Sequence, residues 1–153
     1  MPGEDRSGAK STSITTNRTI SEESQRAVAY LTNIEILRHL EEMPFEFYGI
    51  INSAAGTSAD FIQSKAMREG WIYKIFNMVA SNEGSGVSQA AIGYVSGSTF
   101  MIQTKGSTDN PYHTHEFHGR VFLKETDKLR CEFSNATAGD VLKFYVNGVK
   151  RRL

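Results

Sequence analysis

From Phe45 to Val149 the chain is a succession of short apolar runs, each cut off by glycine, serine, asparagine or threonine. The runs are Phe45 to Ile51, Ala59 to Gln63, Trp71 to Ala80, Ser88 to Val95, Thr99 to Thr104, Phe117 to Leu123, Leu129 to Phe133 and Val141 to Val149. Several alternate strictly. Trp71, Tyr73 and Ile75 interleave with Ile72, Lys74 and Phe76, and Leu142, Phe144 and Val146 interleave with Lys143, Tyr145 and Asn147. Alternation of period two sends successive side chains to opposite faces of an extended strand, a pattern that a helix does not gather onto one side. Turn residues recur every ~8–12 positions, the spacing of a sandwich or barrel. Ser81 to Gly86 and Ser96 to Ser98 read as hairpin loops. The prediction is a mainly β fold over residues 44–153: a jelly-roll-like antiparallel β-sandwich of about eight strands. Its aromatic residues, from Phe45 and Phe47 to Phe144 and Tyr145, suffice to fill one such core, with Tyr73 and Tyr145 as candidates for an outer face.

Two different segments precede the β-region. Residues 19–43 carry Ala27, Tyr30, Leu31, Ile34, Leu37 and Leu40 at spacings of three and four, one apolar stripe of an α-helix. Thr19 and Glu22 have the capping-box spacing, and Met43-Pro44 ends the pattern, because the residue before a proline is pushed away from helical angles. Residues 1–18 form a polar N-terminal arm, too poor in apolar groups to offset the entropy of ordering by itself.

Charge and composition narrow the function. Lysine plus arginine number 17 and aspartate plus glutamate 17, a balance at odds with a general nucleic-acid binder, which needs a basic excess. Zero net charge also removes the repulsion that keeps free monomers apart, which favours a chain that lives in an assembly. The single cysteine, Cys131, rules out an internal disulfide and, lying in the alternating segment Arg130 to Phe133, reads as a half-buried thiol rather than a nucleophile. No apolar run reaches the ~18 residues of a membrane span, and the opening residues lack a signal-peptide pattern. A nucleophile elbow, a phosphate-binding glycine loop and a CxxC pair are all missing from the sequence. The expectation is a non-enzymatic protein without a cofactor.

Three stretches carry a resemblance. Arg68 to Ile75 runs into Val79 to Gly86, a glycine turn leading into an aromatic-rich strand and a small polar loop. Ala90 to Phe100 reads as strand, glycine turn and returning strand. Gly119 to Glu125 continues through Thr126-Asp127-Lys128-Leu129-Arg130 to Phe133 to Asp140, and Val141 to Gly148 closes the region as an amphipathic strand. Together they resemble the small jelly-roll accessory modules of tailed-bacteriophage virions: head-decoration proteins, head fibres and tail adaptor or fibre domains. The resemblance spans roughly residues 45–150 and rests on pattern. Where such modules carry glycine before the aspartate of the late turn, this chain has Thr126. The resemblance implies a virion structural protein of capsid decoration, cement or head-fibre type, assembled in the host cytoplasm. It also implies partners among the major capsid or other virion proteins, with a homo-oligomer, a trimer above all. Attachment would run through arm and helix, with Arg6, Lys10, Ile14, Arg18, Leu31, Ile34 and Leu37 as candidate contacts. No membrane and no specific nucleic acid is implied.

One cluster has chemical potential. In His113-Thr114-His115-Glu116-Phe117-His118, His113 and His115 share one face of an extended strand, while Glu116 and His118 take the other. Two imidazoles on one face make half a site for zinc, nickel or iron. The spacing resembles the opening HxH of the cupin metal motif, also on a jelly roll, but no histidine follows His118. The resemblance to trimeric phage fibres implies another use, pairs of His113 and His115 meeting on a threefold axis. The plain reading is solvent-exposed loop histidines after Asn110-Pro111. Lys150-Arg151-Arg152 would give only ~3 phosphate contacts, so it reads as a solubilising end or a partner for an acidic neighbouring subunit. Besides the virion reading, a carbohydrate- or host-surface-binding sandwich module and, remotely, a cupin-like metal enzyme are the alternatives.

Overall fold

The structure, a computed structural model, describes residues 22–31, 33, 42–54 and 60–153. It falls into two units, Met1–Glu41 and Glu42–Leu153. In the first, residues 22–31 and 33 are helical and exposed. Arg6, Lys10, Ile14, Arg18, Ile34 and Leu37, and with them the arm and the rest of the helical stripe, lie outside the described residues. No helix among the described residues is long and apolar enough to cross a membrane.

The second unit contains eight strands: β1 (Met43–Asn52), β2 (Asp60–Gln63), β3 (Trp71–Asn82), β4 (Gln89–Ser96), β5 (Thr99–Ser107), β6 (Thr114–Leu123), β7 (Lys128–Ser134) and β8 (Val141–Arg152). Each of the eight apolar runs has become one strand. Met43, which the sequence pattern assigns to the end of the helix, instead opens β1 and pairs with Lys150. β6 begins three residues earlier than the apolar pattern, because Thr114, His115 and Glu116 find ladder partners in Ser81, Ala80 and Val79 of β3. A strand partner supplies hydrogen bonds that local composition does not announce.

The strands form two four-stranded antiparallel sheets, ordered β1-β8-β3-β6 and β2-β7-β4-β5. First pairs with last, second with seventh, third with sixth and fourth with fifth, as in one long hairpin. Wrapping that hairpin brings β8 beside β3 and β7 beside β4, which is the jelly roll. Consequently the finish of β1, the start of β2 and the β3–β4, β5–β6 and β7–β8 loops gather at one end. The β2–β3, β4–β5 and β6–β7 turns share the other end with the start of β1 and the finish of β8.

The core lies between the inner faces. Leu129, Cys131 and Phe133 of β7 and Leu142, Phe144 and Val146 of β8 are fully buried in strict alternation. On β3 the alternation breaks: Tyr73 and Ile75 point inward, and so do Met78 and Ala80. The pairing register shifts between Ile75 and Asn77, a β-bulge that inserts one residue and re-phases the strand. The core is less aromatic than the composition predicts. Only Tyr73, Phe133 and Phe144 among the aromatics are buried, while Phe45, Phe47, Trp71 and Phe117 pack partly buried against them. Tyr73, a candidate for the outer face, is in phase with Ile75 and therefore inside, edge-on to Phe45 with ring centroids 4.9 Å apart. Cys131, predicted half-buried, is completely enclosed, and burial first, then the Glu132 carboxylate, pushes its thiol pKa up. Thr126 adopts φ 71°, a left-handed conformation that a glycine would take without steric cost.

Candidate functional site

The clustered loop end is tied together by one carboxylate. Asp140, in the β7–β8 loop, is 5% exposed. Its Oδ1 accepts from the Ser85 N–H at 2.7 Å. Its Oδ2 accepts from Asn82 Nδ2 at 2.8 Å, the Ser85 hydroxyl at 2.7 Å and the Thr137 N–H at 2.9 Å. Burial by itself would raise the carboxyl pKa, but the bonds from Asn82, Ser85 and Thr137 together outweigh it and hold the group at about 2. The backbone joins in, since the Ser53 N–H donates to the Asp140 carbonyl and the Gly139 N–H to the Ser53 carbonyl. Gly84 is required by this approach: a Cβ there would lie 2.0 Å from Asp140 Oδ1.

The β5–β6 loop is clamped just as firmly. Thr108, fully buried, shares a 2.8 Å hydroxyl contact with Ser88 and donates to the Gly86 carbonyl at 3.1 Å. Asn110 closes the tip of the loop: its Oδ1 accepts from the Tyr112 and Thr114 N–H groups at 3.0 and 3.1 Å, and its Nδ2 donates to the Thr114 carbonyl. The Asn82 N–H bonds the His113 carbonyl. The product is a rigid loop that holds Tyr112 out in water, 84% exposed.

This loop separates the two histidines expected to share a face. His113 precedes β6 and takes φ 56°, so it does not continue the strand on which His115 sits. The His113 ring lies on Gly86, where a Cβ would come within 2.1 Å of Nδ1. His115 is half-buried, bonds Thr104 Oγ1 through Nε2 at 3.0 Å and covers Gly106. The cause is the turn closed by the His113 N–H on the Asn110 carbonyl, which strand geometry read from spacing does not include. Among the described residues no group of three or more histidine, cysteine, aspartate or glutamate side chains is arranged to hold a metal ion. The cupin-type reading therefore has no third ligand there.

Glu116 and His118 do share the opposite face, within a polar chain that the sequence reading missed. Asn77 Nδ2 donates to Asn147 Oδ1 at 3.0 Å, Asn77 Oδ1 lies 2.7 Å from His118 Nδ1, and His118 Nε2 is 2.8 Å from Glu116 Oε2. The chain crosses β8, β3 and β6 on the outer face of the first sheet, beside the bulge that turns Asn77 outward. On the outer face of the second sheet the Arg130 guanidinium stacks 4.2 Å from the centroid of Phe61, bonds Gln63 at 3.1 Å and pairs with Glu132 at 2.7 Å. Phe61 remains 50% exposed. Leu31, a candidate partner contact, is 62% exposed on the helix. Tyr112, Asp140 and Asn82 were not singled out from the sequence. The signals were Asn110-Pro111, a turn dipeptide shortly before β6, and Gly139-Asp140, directly before β8.

No family model and no curated protein matches the sequence. Among solved structures the chain is similar to one from Bacillus endospore appendages, described as a novel family of disulfide-linked pili, with 12% identity and TM-score 0.40 over 73% of this chain and 90% of that one. It is also similar to a pentameric capsid protein isolated from metagenomic phage sequences, with 19% identity and TM-score 0.31 over 74% of this chain and 63% of that one. A de novo designed double-stranded β-helix gives 12% identity and TM-score 0.27 over 68% and 97%. Likenesses of this size assign no function; the fold rests on the strand order of this chain itself.

Proposed function

We propose that the chain is a non-enzymatic virion structural protein, a capsid decoration, cement or head-fibre-type accessory protein fastened through its N-terminal arm and helix. The observation that supports this most is the helix of the first unit, where Ala27, exposed, stands three and four residues before Tyr30 and Leu31, which are 68% and 62% exposed. Exposed apolar side chains at helical spacing suit a docking surface. The internally bonded loop end suits a scaffold rather than a cleft that binds and turns over substrate. Attachment then works by area, with a standard interface of ~1,600 Å² sufficing for a stable contact. Co-sedimentation of capsids with a version lacking residues 1–41 tests this. The truncated protein keeps its β circular dichroism and unfolding midpoint but stays in the supernatant. Retained binding, or loss of folding, overturns the reading.

A second reading, carbohydrate or host-surface binding, draws on one observation: half-exposed Phe61, with Arg130, Gln63 and Glu132 beside it, presents a ring face next to hydrogen-bonding groups. Glycan-array binding that disappears in Phe61→Ala would favour it over a cement protein, which binds no glycan.

A further inference from the structure

The two ends of the sandwich differ in charge although the whole chain is neutral. Counting turns and the two outermost residues of each strand among the described residues, one end carries six cations, Lys65, Arg68, Lys124, Lys128, Arg151 and Arg152, against three carboxylates, Glu69, Glu125 and Asp127. The loop end carries four carboxylates, Asp60, Glu83, Asp109 and Asp140, and no lysine or arginine at those positions, although Lys143, one residue further along β8, pairs with Glu83. The ends also differ in shape. At the cationic end an open groove of about 360 Å³ runs between β1 and the β2–β3 turn. Its lining includes Phe45, Phe47, Met67 and Tyr73, with exposed Lys65 and Arg68 on the same turn. At the acidic end the stapled β5–β6 loop holds Tyr112 outward, three residues after exposed Asp109.

We propose that copies of this chain associate head to tail, with Tyr112 of one copy seated in the Phe45–Phe47–Met67–Tyr73 groove of the next and the acidic loop end facing its cationic rim. The groove is apolar where an aromatic ring would enter and cationic where carboxylates would follow. The knob is presented by a loop already fixed, so little ordering entropy is lost on docking. Because the two surfaces lie at opposite ends, the contact is heterologous and repeats, building rows rather than a closed pair. The end of two sheets ~10 Å apart, each of four strands spaced ~4.8 Å, is smaller than the ~800 Å² per partner of a standard interface. Association of free chains is therefore weak, aided by complementary charge, and strengthened wherever a particle surface concentrates them. The inference stands whether or not the virion reading does.

Sedimentation velocity of the full chain across a concentration series tests it at ~0.1 M and ~1 M salt, where the screening length falls from ~10 Å to ~3 Å. The expected result is a mass that climbs with concentration at the lower salt and reverts towards the single chain at the higher. Tyr112→Ser weakens the association about tenfold without altering the unfolding midpoint, since the side chain is almost wholly in water. Charge reversal makes the decisive arm. Lys65→Glu with Arg68→Glu gives a chain acidic at both contact surfaces, and Glu83→Lys with Asp109→Lys gives one with no acidic surface left at either. The second pair reverses the two exposed carboxylates of the loop end, Asp140 being buried, so that lysines there face a cationic groove rim. Each alone associates less than the original, and mixing the two restores association, which a folding defect cannot imitate. A single-chain mass at every concentration in ~0.1 M salt, a closed oligomer indifferent to salt, or failure of the mixture to associate overturns the proposal.

Discussion

Replacing Asp140 with asparagine keeps the shape of the side chain and removes its charge. The amide must offer its oxygen to the three donors now on Oδ2 and turn its own NH2 toward the Ser85 N–H, or do the reverse and face three donors with a donor. The better arrangement loses one charge-assisted bond, worth ~1.5–3 kcal/mol, and weakens three others toward the neutral range of ~0.5–1.5 kcal/mol. Because Ser85 and Thr137 reach water and recover part of this, the net cost is about 3 kcal/mol. At ~4 °C per kcal/mol for a domain of this size, the unfolding midpoint falls by ~12 °C near neutral pH. The pH dependence supplies an internal check. The folded-state pKa of Asp140 is lowered from 3.8 to about 2, so its stabilisation is complete above the unfolded value and drains away as pH falls through the folded one. A depression of this size corresponds to about 2 kcal/mol. The gap between the original protein and Asp140→Asn, followed by thermal unfolding with circular dichroism, should thus shrink from ~12 °C at neutral pH to ~4 °C near pH ~2. A gap that stays constant over that range would refute the charge-assisted knot.

Three further outcomes follow from single positions. Gly84→Ala drives a methyl group into Asp140 Oδ1 and lowers stability by about 2 kcal/mol in denaturant titration, and by less in an Asp140→Ala background where the obstacle is gone. Thr126→Gly relieves a β-branched residue at φ 71° and raises the midpoint by the equivalent of ~1 kcal/mol, the opposite sign from a glycine placed in a strand. Cys131, enclosed and with its pKa pushed up by burial, reacts with a thiol reagent only as fast as the domain opens, so the labelling rate follows denaturant concentration along with global unfolding.

Strand existence was legible because alternation is local. Leu142, Phe144 and Val146 declare an inward face whatever strand lies beside them, and they are buried as the pattern requires. The strand boundaries at His115 and Met43 were not legible, since what makes those residues extended is a ladder partner far along the chain, in Ala80 and Lys150. The candidate site was less visible still. His113 and His115 look like a pair at a spacing of two, yet Asn110 bends the backbone between Pro111 and Thr114 and sends the two rings to different glycines. Asp140 looks like an ordinary turn residue until the end of β3 and the loop after it arrive with Asn82 and Ser85, more than fifty positions away.

The sequence by itself determined the class of fold, the number of strands, a helix before them and the neutrality of the chain, because each follows from residue type and spacing over a few positions. The tertiary structure decided which strands adjoin, that a bulge beside Phe76 brings Met78 inside and Asn77 outside, and that one carboxylate ties the loop end. It also sorted a balanced set of charges into a cationic and an acidic end. Those outcomes depend on closing the long hairpin from β1 to β8, and contacts at that separation leave no periodic mark on either segment that makes them.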